Sequence, residues 1–406
     1  MRSVVELAFG LPAAGALLVS IFRRRRSVAV VAGIAFGVAG LLVLGLLTPG
    51  TQAGSFGLEL QIAAPVQVVL VATFAAAGLA VLMVPPGADR VPLLASVLTG
   101  LAGITAVATL TDPLLAAIVL LVLAAAQAAV PALRSFPDRL RAPAFGALLI
   151  AFGGMVAQGA ASRPITRLAG LALVLGVTTV IGVAPFLQGL DPREPAPASP
   201  IAWLGFLGPA LAAVLATRLV LLVPADGAAV YSGVLLGLGI VNLILGAFGT
   251  WQAKAGADLW RYSFVADWGL VLVALSMGSG AAYLLLLGIL LLRLPMYLLA
   301  RPALVRGEAP SQPRPLMLLI AAALAGAAPF AGFPARLLIL RGASAEAWPL
   351  ALLLVLAMIT WLPQSIRLAQ TLGRPTRAVA AGIGLVLTAN LVLGLYPNAV
   401  LGMLGR

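Results

Sequence analysis

Apolar stretches of about 20 residues follow one another along almost the whole chain, and proline, glycine or charged residues separate them. An α-helix of about 20 apolar residues crosses a bilayer core about 30 Å thick. Lipid offers no partner to backbone N–H and C=O groups, so a spanning segment must satisfy them internally, as a helix does. The sequence therefore predicts an all-α, multi-pass protein whose surroundings are a lipid bilayer.

Fourteen apolar segments are predicted, and turn signals such as Pro49-Gly50 and Asp112-Pro113 support the divisions between them. The segments are 4–21, 28–48, 66–84, 91–110, 114–130, 142–160, 168–187, 200–223, 229–250, 264–280, 281–300, 315–340, 348–368 and 378–404. The cluster Arg23 to Arg26 follows the first segment instead of preceding it, which favours a first spanning helix over a cleavable signal peptide. We therefore expect about fourteen transmembrane helices.

The basic residues are distributed unequally between the two sides of this topology. With the N-terminus outside, 17 of the 25 lysine and arginine residues fall on the cytoplasmic side and five on the outer side. This bias is what the positive-inside rule expects. It also accounts for the net charge of +13 without a nucleic-acid partner. An even number of helices then places both termini on the outer side of the cell membrane.

Several kinds of site are excluded by composition. The chain has no cysteine and no histidine, so it offers no disulfide, no thiolate or imidazole metal ligand, and no side chain that titrates near neutral pH by default. The sequence also shows no phosphate-binding loop, no paired catalytic carboxylates and no nucleophile–base arrangement. We predict no catalytic residue, no metal site and no cofactor in this chain.

Arg336 is the strongest candidate for a functional charge inside the bilayer. It lies in LAGAAPFAGFPARLLIL (324–340), after Pro329, Gly332 and Pro334. These residues interrupt helical hydrogen bonding, which membranes tolerate where protein or water satisfies the freed groups. A broken helix beside a charge is a recurring feature of transporters, and intramembrane charges mark functional sites by default. The alternative is that Arg336 extends to the outer headgroups.

Three further charges are candidates for the same ion pathway. Arg293 precedes Pro295 by two residues and can lie deep in the bilayer or extend to its surface. Arg218 lies about one and a half turns from the outer end of its helix, where extension to the headgroups is the alternative. Asp267 has no basic residue within a helical turn, so its partner must come from another helix.

The stretch WQAKAGADLWRYSFVADWG (251–269) adds Lys254 and Asp258 to the candidates. Asp258 and Arg261 are three residues apart, a spacing that allows a helical ion pair worth tenths of a kcal/mol when exposed. The alternative interpretation of this group is a charged cytoplasmic loop.

Four stretches carry a family resemblance: GVAPFLQGLDPREPAPASPIAWL (182–204), RYSFVADWG (261–269), LAGAAPFAGFPAR (324–336) and NLVLGLYPNAV (390–400). In this order, and on the corresponding segments, they resemble motifs of the antiporter-like membrane subunits of respiratory NADH:quinone oxidoreductase (complex I). Mrp-type cation/proton antiporters and membrane-bound hydrogenases share these motifs. The resemblance covers about residues 110 to 404, and it implies that other membrane subunits are partners of this chain.

The resemblance implies two inverted five-helix repeats, formed by helices four to eight and nine to thirteen. It also implies that helix seven is broken near Pro185 and helix twelve near Pro329, Gly332 and Pro334. The chain would divide into N-terminal helices (1–110), an antiporter-like core (111–400) and a short outer tail (401–406). In such subunits protons are thought to move along a line of buried charges at the middle of the membrane.

The sequence departs from the family pattern at those charges. The fifth segment contains no acidic residue, and Val180 and Leu211 stand where lysines are expected. Asp267 stands in the ninth-helix motif in place of histidine, Arg336 takes the place of the helix-twelve lysine, and Arg293 replaces a buried lysine. Arginine carries protons poorly compared with lysine. The resemblance thus implies a divergent subunit with impaired or partial proton conduction; the alternatives are a stand-alone secondary transporter and a structural membrane protein without transport.

Overall fold

The computed structural model describes residues 2–50, 52–55, 58–83, 90–129, 136–159, 163–194, 200–223, 225–308, 315–373 and 377–404. Residues 195–199 of the proline-rich stretch and the last two residues of the predicted outer tail lie outside these ranges. The chain forms two compact units, the first comprising Met1–Gln188 and Glu194–Tyr231 and the second Gly189–Arg193 and Ser232–Arg406.

The first unit is built from helices and one small hairpin. In chain order its elements are α1 (Arg2–Ile21), α2 (Arg26–Leu46), β1 (Gln52–Ser55), β2 (Leu58–Gln61), α3 (Ala64–Leu82), α4 (Arg90–Thr109), α5 (Pro113–Ala129), α6 (Phe136–Gly159), α7 (Arg163–Ile181) and α8 (Gly208–Val214). The two strands pair antiparallel, with Gln52 opposite Gln61. Buried Gln67 of α3 donates its Nε2 hydrogens to the carbonyls of Leu44 and Leu47, both at 2.7 Å, and so satisfies the C-terminal end of α2.

The second unit contains the remaining helices. They are α9 (Ala225–Gln252), whose residues from Ser232 belong here, α10 (Gly256–Ser276), α11 (Ala281–Gly288), α12 (Leu294–Arg306), α13 (Pro315–Leu324), α14 (Gly332–Glu346), α15 (Trp348–Gln370), α16 (Arg377–Leu395) and α17 (Pro397–Leu404). The helix α10 begins at Gly256, so Asp258 and Arg261 are helical.

Glycine lets neighbouring helices approach closely in both units. In the first unit, a Cβ on Gly146 of α6 would meet the backbone of Gly176 and Val180 on α7. In the second, a Cβ on Gly246 of α9 would meet the backbone of Ala266 on α10. Membrane helices associate through such small residues because lipid supplies no hydrophobic drive between them.

Both predicted breaks fall between helices. The first, with Pro185, follows the end of α7 at Ile181. The second lies between α13 and α14 and contains Pro329; Gly332 is the first residue of α14, and Pro334 lies in its first turn. The two breaks share the sequence Gly-x-Ala-Pro-Phe, at 182–186 and 326–330.

Three π-helical turns interrupt the helices around α8 and between α11 and α12. They are Ala202–Leu207, Leu215–Leu219 and Ile289–Arg293. Proline follows two of them, as Pro209 in the first turn of α8 and Pro295 in the first turn of α12. Proline has no N–H to donate to the preceding turn, and a π-turn accommodates the interruption. Arg218 and Arg293 both lie within π-turns.

Ten helices in the described ranges are long and apolar enough to cross a membrane, and eleven when α16 and α17, bent by 70° at their junction, are taken as one span. These findings confirm a multi-pass helical protein. Each of the fourteen predicted segments overlaps helical structure. The count of fourteen crossings itself stays a prediction, because α5 and α13 are shorter than a full span.

Candidate functional site

A buried ion pair joins α10 to the π-turn before α12 in the second unit. Arg293 Nε donates to Asp267 Oδ2 at 2.6 Å and Arg293 Nη2 to Asp267 Oδ1 at 2.8 Å. The side chain of Asp267 is 14% exposed, and that of Arg293 is 7% exposed. Two parallel N–H···O bonds are the strongest geometry available to an arginine–carboxylate pair. As the sequence requires, the partner of Asp267 comes from another helix.

The same arginine reaches the break in the twelfth predicted segment. Arg293 Nη2 also donates to the carbonyl of Leu324 at 3.3 Å. Leu324 ends α13, and the last four carbonyls of a helix have no partner within that helix. Arg293 therefore links the carboxylate of Asp267 to a carbonyl that the helix break leaves free.

Arg336 lies on the other side of the break, on α14. Its guanidinium carbon is 4.4 Å from the centroid of the Trp361 ring on α15, which is a cation–π contact. Gly326 lies against it: Gly326 has φ +65°, and a Cβ there would be 2.6 Å from Arg336 Cζ. Glycine is thus required both by the backbone conformation and by the space that Arg336 fills. Arg336 also interacts electrostatically with Asp267, which attracts it, and with Arg293, which repels it.

A small polar cavity lies beside the ion pair. It measures about 10 Å³, and its lining includes Asp267, Arg293, Leu324, Trp361 and Gln364. Two of its buried donors, Arg293 Nη1 and Trp361 Nε1, have no hydrogen-bond partner. Such a volume with polar walls suits about one water molecule. We call Asp267, Arg293, Arg336 and Trp361 the charge cluster; it carries two positive charges and one negative charge.

Helix α16 holds the break in place. The N–H of Ala331, the residue before α14, is 3.2 Å from both the backbone oxygen and the Oδ1 of Asn390. One turn further along α16, a Cβ on Gly394 would overlap Pro329 O and the backbone at Phe330 and Ala331. The broken segment therefore rests directly on the α16 backbone.

The other predicted site residues lie apart from the charge cluster. Lys254 is exposed in the turn between α9 and α10. Asp258 lies in the first turn of α10, where the helix dipole favours an acid. Within the described residues neither forms an ion pair. Arg218, in the first unit, donates to the carbonyls of Leu110 and Gln61, the latter at 2.5 Å, and so ties its π-turn to the ends of α4 and β2.

The core of the first unit is neutral at the corresponding places. Gln127 of α5 accepts from Ser96 Oγ of α4 and donates to its carbonyl, both at 3.1 Å. Val180 and Leu211, which stand where the family pattern has lysines, are fully buried among apolar groups. The charged groups of this unit lie elsewhere: Arg139 pairs with Glu194, and Arg218 bonds to backbone carbonyls.

Trp361 and Asn390 belong to the site although the sequence analysis did not single them out. Asn390 opens the quoted stretch NLVLGLYPNAV and is an amide within an otherwise apolar segment, which is a detectable signal. Trp361 resembles any other aromatic residue of an apolar segment, so its role depends on the packing of α14 against α15.

No protein-family model and no curated protein matches the chain. Solved structures do match. A chain of the membrane-bound sulfane sulfur reductase, an archaeal respiratory membrane complex, is 16% identical with a TM-score of 0.80, covering 99% of this chain and 96% of that chain. A chain of respiratory complex I from Thermus thermophilus is 21% identical with a TM-score of 0.71, covering 97% and 98%.

A chain of the Mrp complex from Dietzia sp. DQ12-45-1b is also similar, with 16% identity and a TM-score of 0.78. The match covers 99% of this chain and 51% of that chain, so this chain spans about half the length of the Mrp chain. At these identities the likeness shows the fold.

Proposed function

Because the chain has the fold of membrane subunits found in respiratory and Mrp complexes, we propose that it is an antiporter-like subunit of a multi-subunit redox or antiporter complex. The observation that carries this proposal is the match of nearly the whole chain to such subunits, at TM-scores of 0.71 to 0.80. The two most specific family motifs support it: 324–336 surrounds the break between α13 and α14, and 390–400 runs from α16 into α17.

We further propose that helices four to eight and nine to thirteen, which are α4 and most of the core 111–400, form two inverted five-helix repeats. The Gly-x-Ala-Pro-Phe sequences support this, because each follows a helix and begins with a glycine at positive φ, +86° at Gly182 and +65° at Gly326. The two sequences are 144 residues apart. Because each repeat has an odd number of helices, two consecutive repeats run in opposite directions across the bilayer. The total of fourteen helices is even and leaves both termini on the outer side.

The subunit is divergent, and its proton conduction is impaired or partial. The support is the difference between the units: the second holds the charge cluster, whereas Gln127, Val180 and Leu211 leave the first without buried charge at the expected places. Within the cluster Asp267 is held by two hydrogen bonds from Arg293. The side chain of Arg336 keeps its proton under nearly all conditions. The charge cluster is therefore better suited to electrostatic coupling than to proton transfer.

The partners are other membrane subunits in the cell membrane, and co-purification tests this directly. We expect the chain, extracted from its native membrane in mild detergent and separated by size, to migrate with subunits of a redox or antiporter complex identified by mass spectrometry. Addition of a stronger detergent should release it, which controls for accidental co-migration. Migration of the chain alone under the mildest conditions would overturn the proposal and favour a stand-alone transporter.

A further inference from the structure

An apolar groove runs between α2, α3 and α4 in the first unit. Its volume is about 250 Å³, and it is lined by side chains and glycines that include Gly37 and Leu41 of α2, Phe74 and Gly78 of α3, and Leu94 of α4. An apolar protein cavity of about 150 Å³ already binds benzene. This groove therefore has the volume and the chemistry to hold part of a hydrocarbon chain.

The lining of the groove begins near one end of α3 and α4. The hairpin connects the end of α2 to the start of α3, so Arg26 and Leu82 lie toward the opposite end of these helices, where α4 also begins. The lining runs from Leu82 back to Phe74 on α3, about 12 Å at 1.5 Å per residue. On α4 it begins at Leu94, about 6 Å from Arg90. On α2 it runs from Gly33 to Leu41 and begins about 10 Å from Arg26. The lining on each helix is thus about 10–12 Å long, within the roughly 15 Å of hydrocarbon in one leaflet.

Four consecutive arginines, Arg23 to Arg26, stand at this end of the groove. All four are exposed, and within the described residues none of them forms an ion pair. The sequences of α2, α3 and α4 contain no acidic residue. Concentrated positive charge therefore lies at the same end of the helices as the start of the groove lining, and it is complementary to an anionic headgroup attached to an acyl chain.

We propose that this groove holds one acyl chain of an anionic phospholipid whose phosphate group is bound by Arg23 to Arg26. The apolar walls account for retention of the chain, and the arginines account for selection of the headgroup. Each basic side chain near an anionic lipid surface strengthens binding by about fivefold. This site is independent of the ion pathway and of the proposed function.

The test is native mass spectrometry of the detergent-purified full chain after addition of dioleoylphosphatidylglycerol. Dioleoylphosphatidylcholine serves as the neutral reference. We expect one phosphatidylglycerol molecule to remain bound under conditions that remove phosphatidylcholine. The same phosphatidylglycerol should raise the melting temperature of the chain, because a ligand that binds only the folded state stabilises it.

Two variants separate the walls of the site from its charge. Gly78→Leu fills the groove, since a Cβ at Gly78 meets nothing within 4 Å, and we expect loss of the bound lipid. Its matched control is Gly45→Leu, on α2 outside the groove and equally open, which should retain the lipid.

Replacement of Arg23 to Arg26 by glutamine should weaken phosphatidylglycerol binding at least roughly tenfold. Glutamine at Arg141, Arg193, Lys254 and Arg306 removes as many charges elsewhere and should leave binding unchanged.

Three results would overturn the proposal. Equal retention of the lipid in Gly78→Leu and the wild type would show that the groove holds no acyl chain. Equal stabilisation by inorganic phosphate would indicate an anion site without a lipid. A photo-crosslinking residue in place of Leu82, a large and exposed side chain of the lining, should label a phospholipid in native membranes. A protein adduct instead would assign the groove to a helix of a neighbouring subunit.

Discussion

At the scale of single residues, Asp267 and Arg293 matter most because each is buried and each neutralises the other. Removing one partner of a buried pair leaves an uncompensated charge and costs about 3–5 kcal/mol, whereas replacing both by apolar residues is often neutral or stabilising. We expect Asp267→Leu, which leaves Arg293 and Arg336 without a carboxylate, to lower the melting temperature of the detergent-solubilised chain strongly. Arg293→Leu should lower it less, because Arg336 remains near Asp267. The double variant should be more stable than Asp267→Leu, because one buried cation is left instead of two.

An exposed ion pair provides the control for this cycle. Arg306 and Glu308 pair at 2.5 Å with side chains 62% and 37% exposed. Exposed pairs contribute about 0–1 kcal/mol, so the same cycle there should show little coupling. Additive losses in the Asp267 and Arg293 variants would contradict the view that the two side chains compensate each other.

Arg336 allows a test of why conduction would be impaired. The ordinary pKa of lysine is about two units below that of arginine, and lysine releases its proton far more readily when buried. We expect Arg336→Lys to raise proton flux into proteoliposomes at least about tenfold, measured with an enclosed pH-sensitive dye. Arg336→Gln removes the cation over Trp361 and adds no titratable group, so its flux should equal that of the wild type. Equal increases in both variants would indicate a packing leak.

The sequence identifies the charged members of the site but not their partnerships. That Asp267 needs a partner from another helix follows from helical spacing, yet Arg293 and Arg336 are both available to it. The choice depends on the rotation of α10, α12 and α14 about their axes, which no local pattern specifies. Trp361 and the carbonyl of Leu324 enter the site only through tertiary packing, so sequence reasoning could not place them.

At the scale of elements, the break between α13 and α14 depends on α16. A Cβ at Gly394 would overlap the backbone of the broken segment, and backbone atoms cannot move aside as a side-chain end can. We expect Gly394→Ala to destabilise the chain by about 1–3 kcal/mol through overpacking. Thermal unfolding of the solubilised chain measures this change.

Gly384→Ala on the same helix is the matched control for that variant. A Cβ at Gly384 meets nothing within 4 Å, so alanine there should stabilise α16 by up to about 1 kcal/mol through helix propensity. If Gly394→Ala also stabilises the chain, the break does not depend on close contact with α16.

Helix positions were easier to predict than their irregularities. The lengths of the apolar stretches and the turn residues between them predict segments that each overlap a helix. Pro185 and Pro329 predict the two breaks. The start of α10 at Gly256 extends the predicted segment because Asp258 and Arg261, typical of loops in membrane proteins, fit the first turns of a helix. The π-turns at 215–219 and 289–293 do not change the hydropathy pattern of their segments. Hydropathy alone therefore gives no sign of them.

At the scale of the whole molecule, the two units differ in what they bury. Their breaks share one sequence motif, yet the second unit places Asp267, Arg293 and Arg336 around its break. The first unit has the neutral pair of Gln127 and Ser96, and its ion pair joins Arg139 to Glu194. If helices four to eight and nine to thirteen are repeats, their buried polar groups have diverged while the positions of the breaks stayed the same. This pattern is expected of a subunit that retains the shape required for assembly after its own conduction has declined.

The number of membrane crossings gives the last prediction. Fourteen is even, whereas the described ranges give ten apolar spans, or an odd eleven when α16 and α17 are taken as one. An even number leaves both termini on the outer side; an odd number separates them. Alkaline phosphatase becomes active only outside the cytoplasm, so we expect its fusion after Leu404 to be active. Green fluorescent protein fluoresces when it folds inside the cell, so we expect its fusion after Leu404 to be dark. Fusion at Lys254, on the predicted cytoplasmic side, should give the reverse pattern. A fluorescent C-terminal fusion would contradict the fourteen-helix topology, and with it the inverted repeats that depend on five helices in each half.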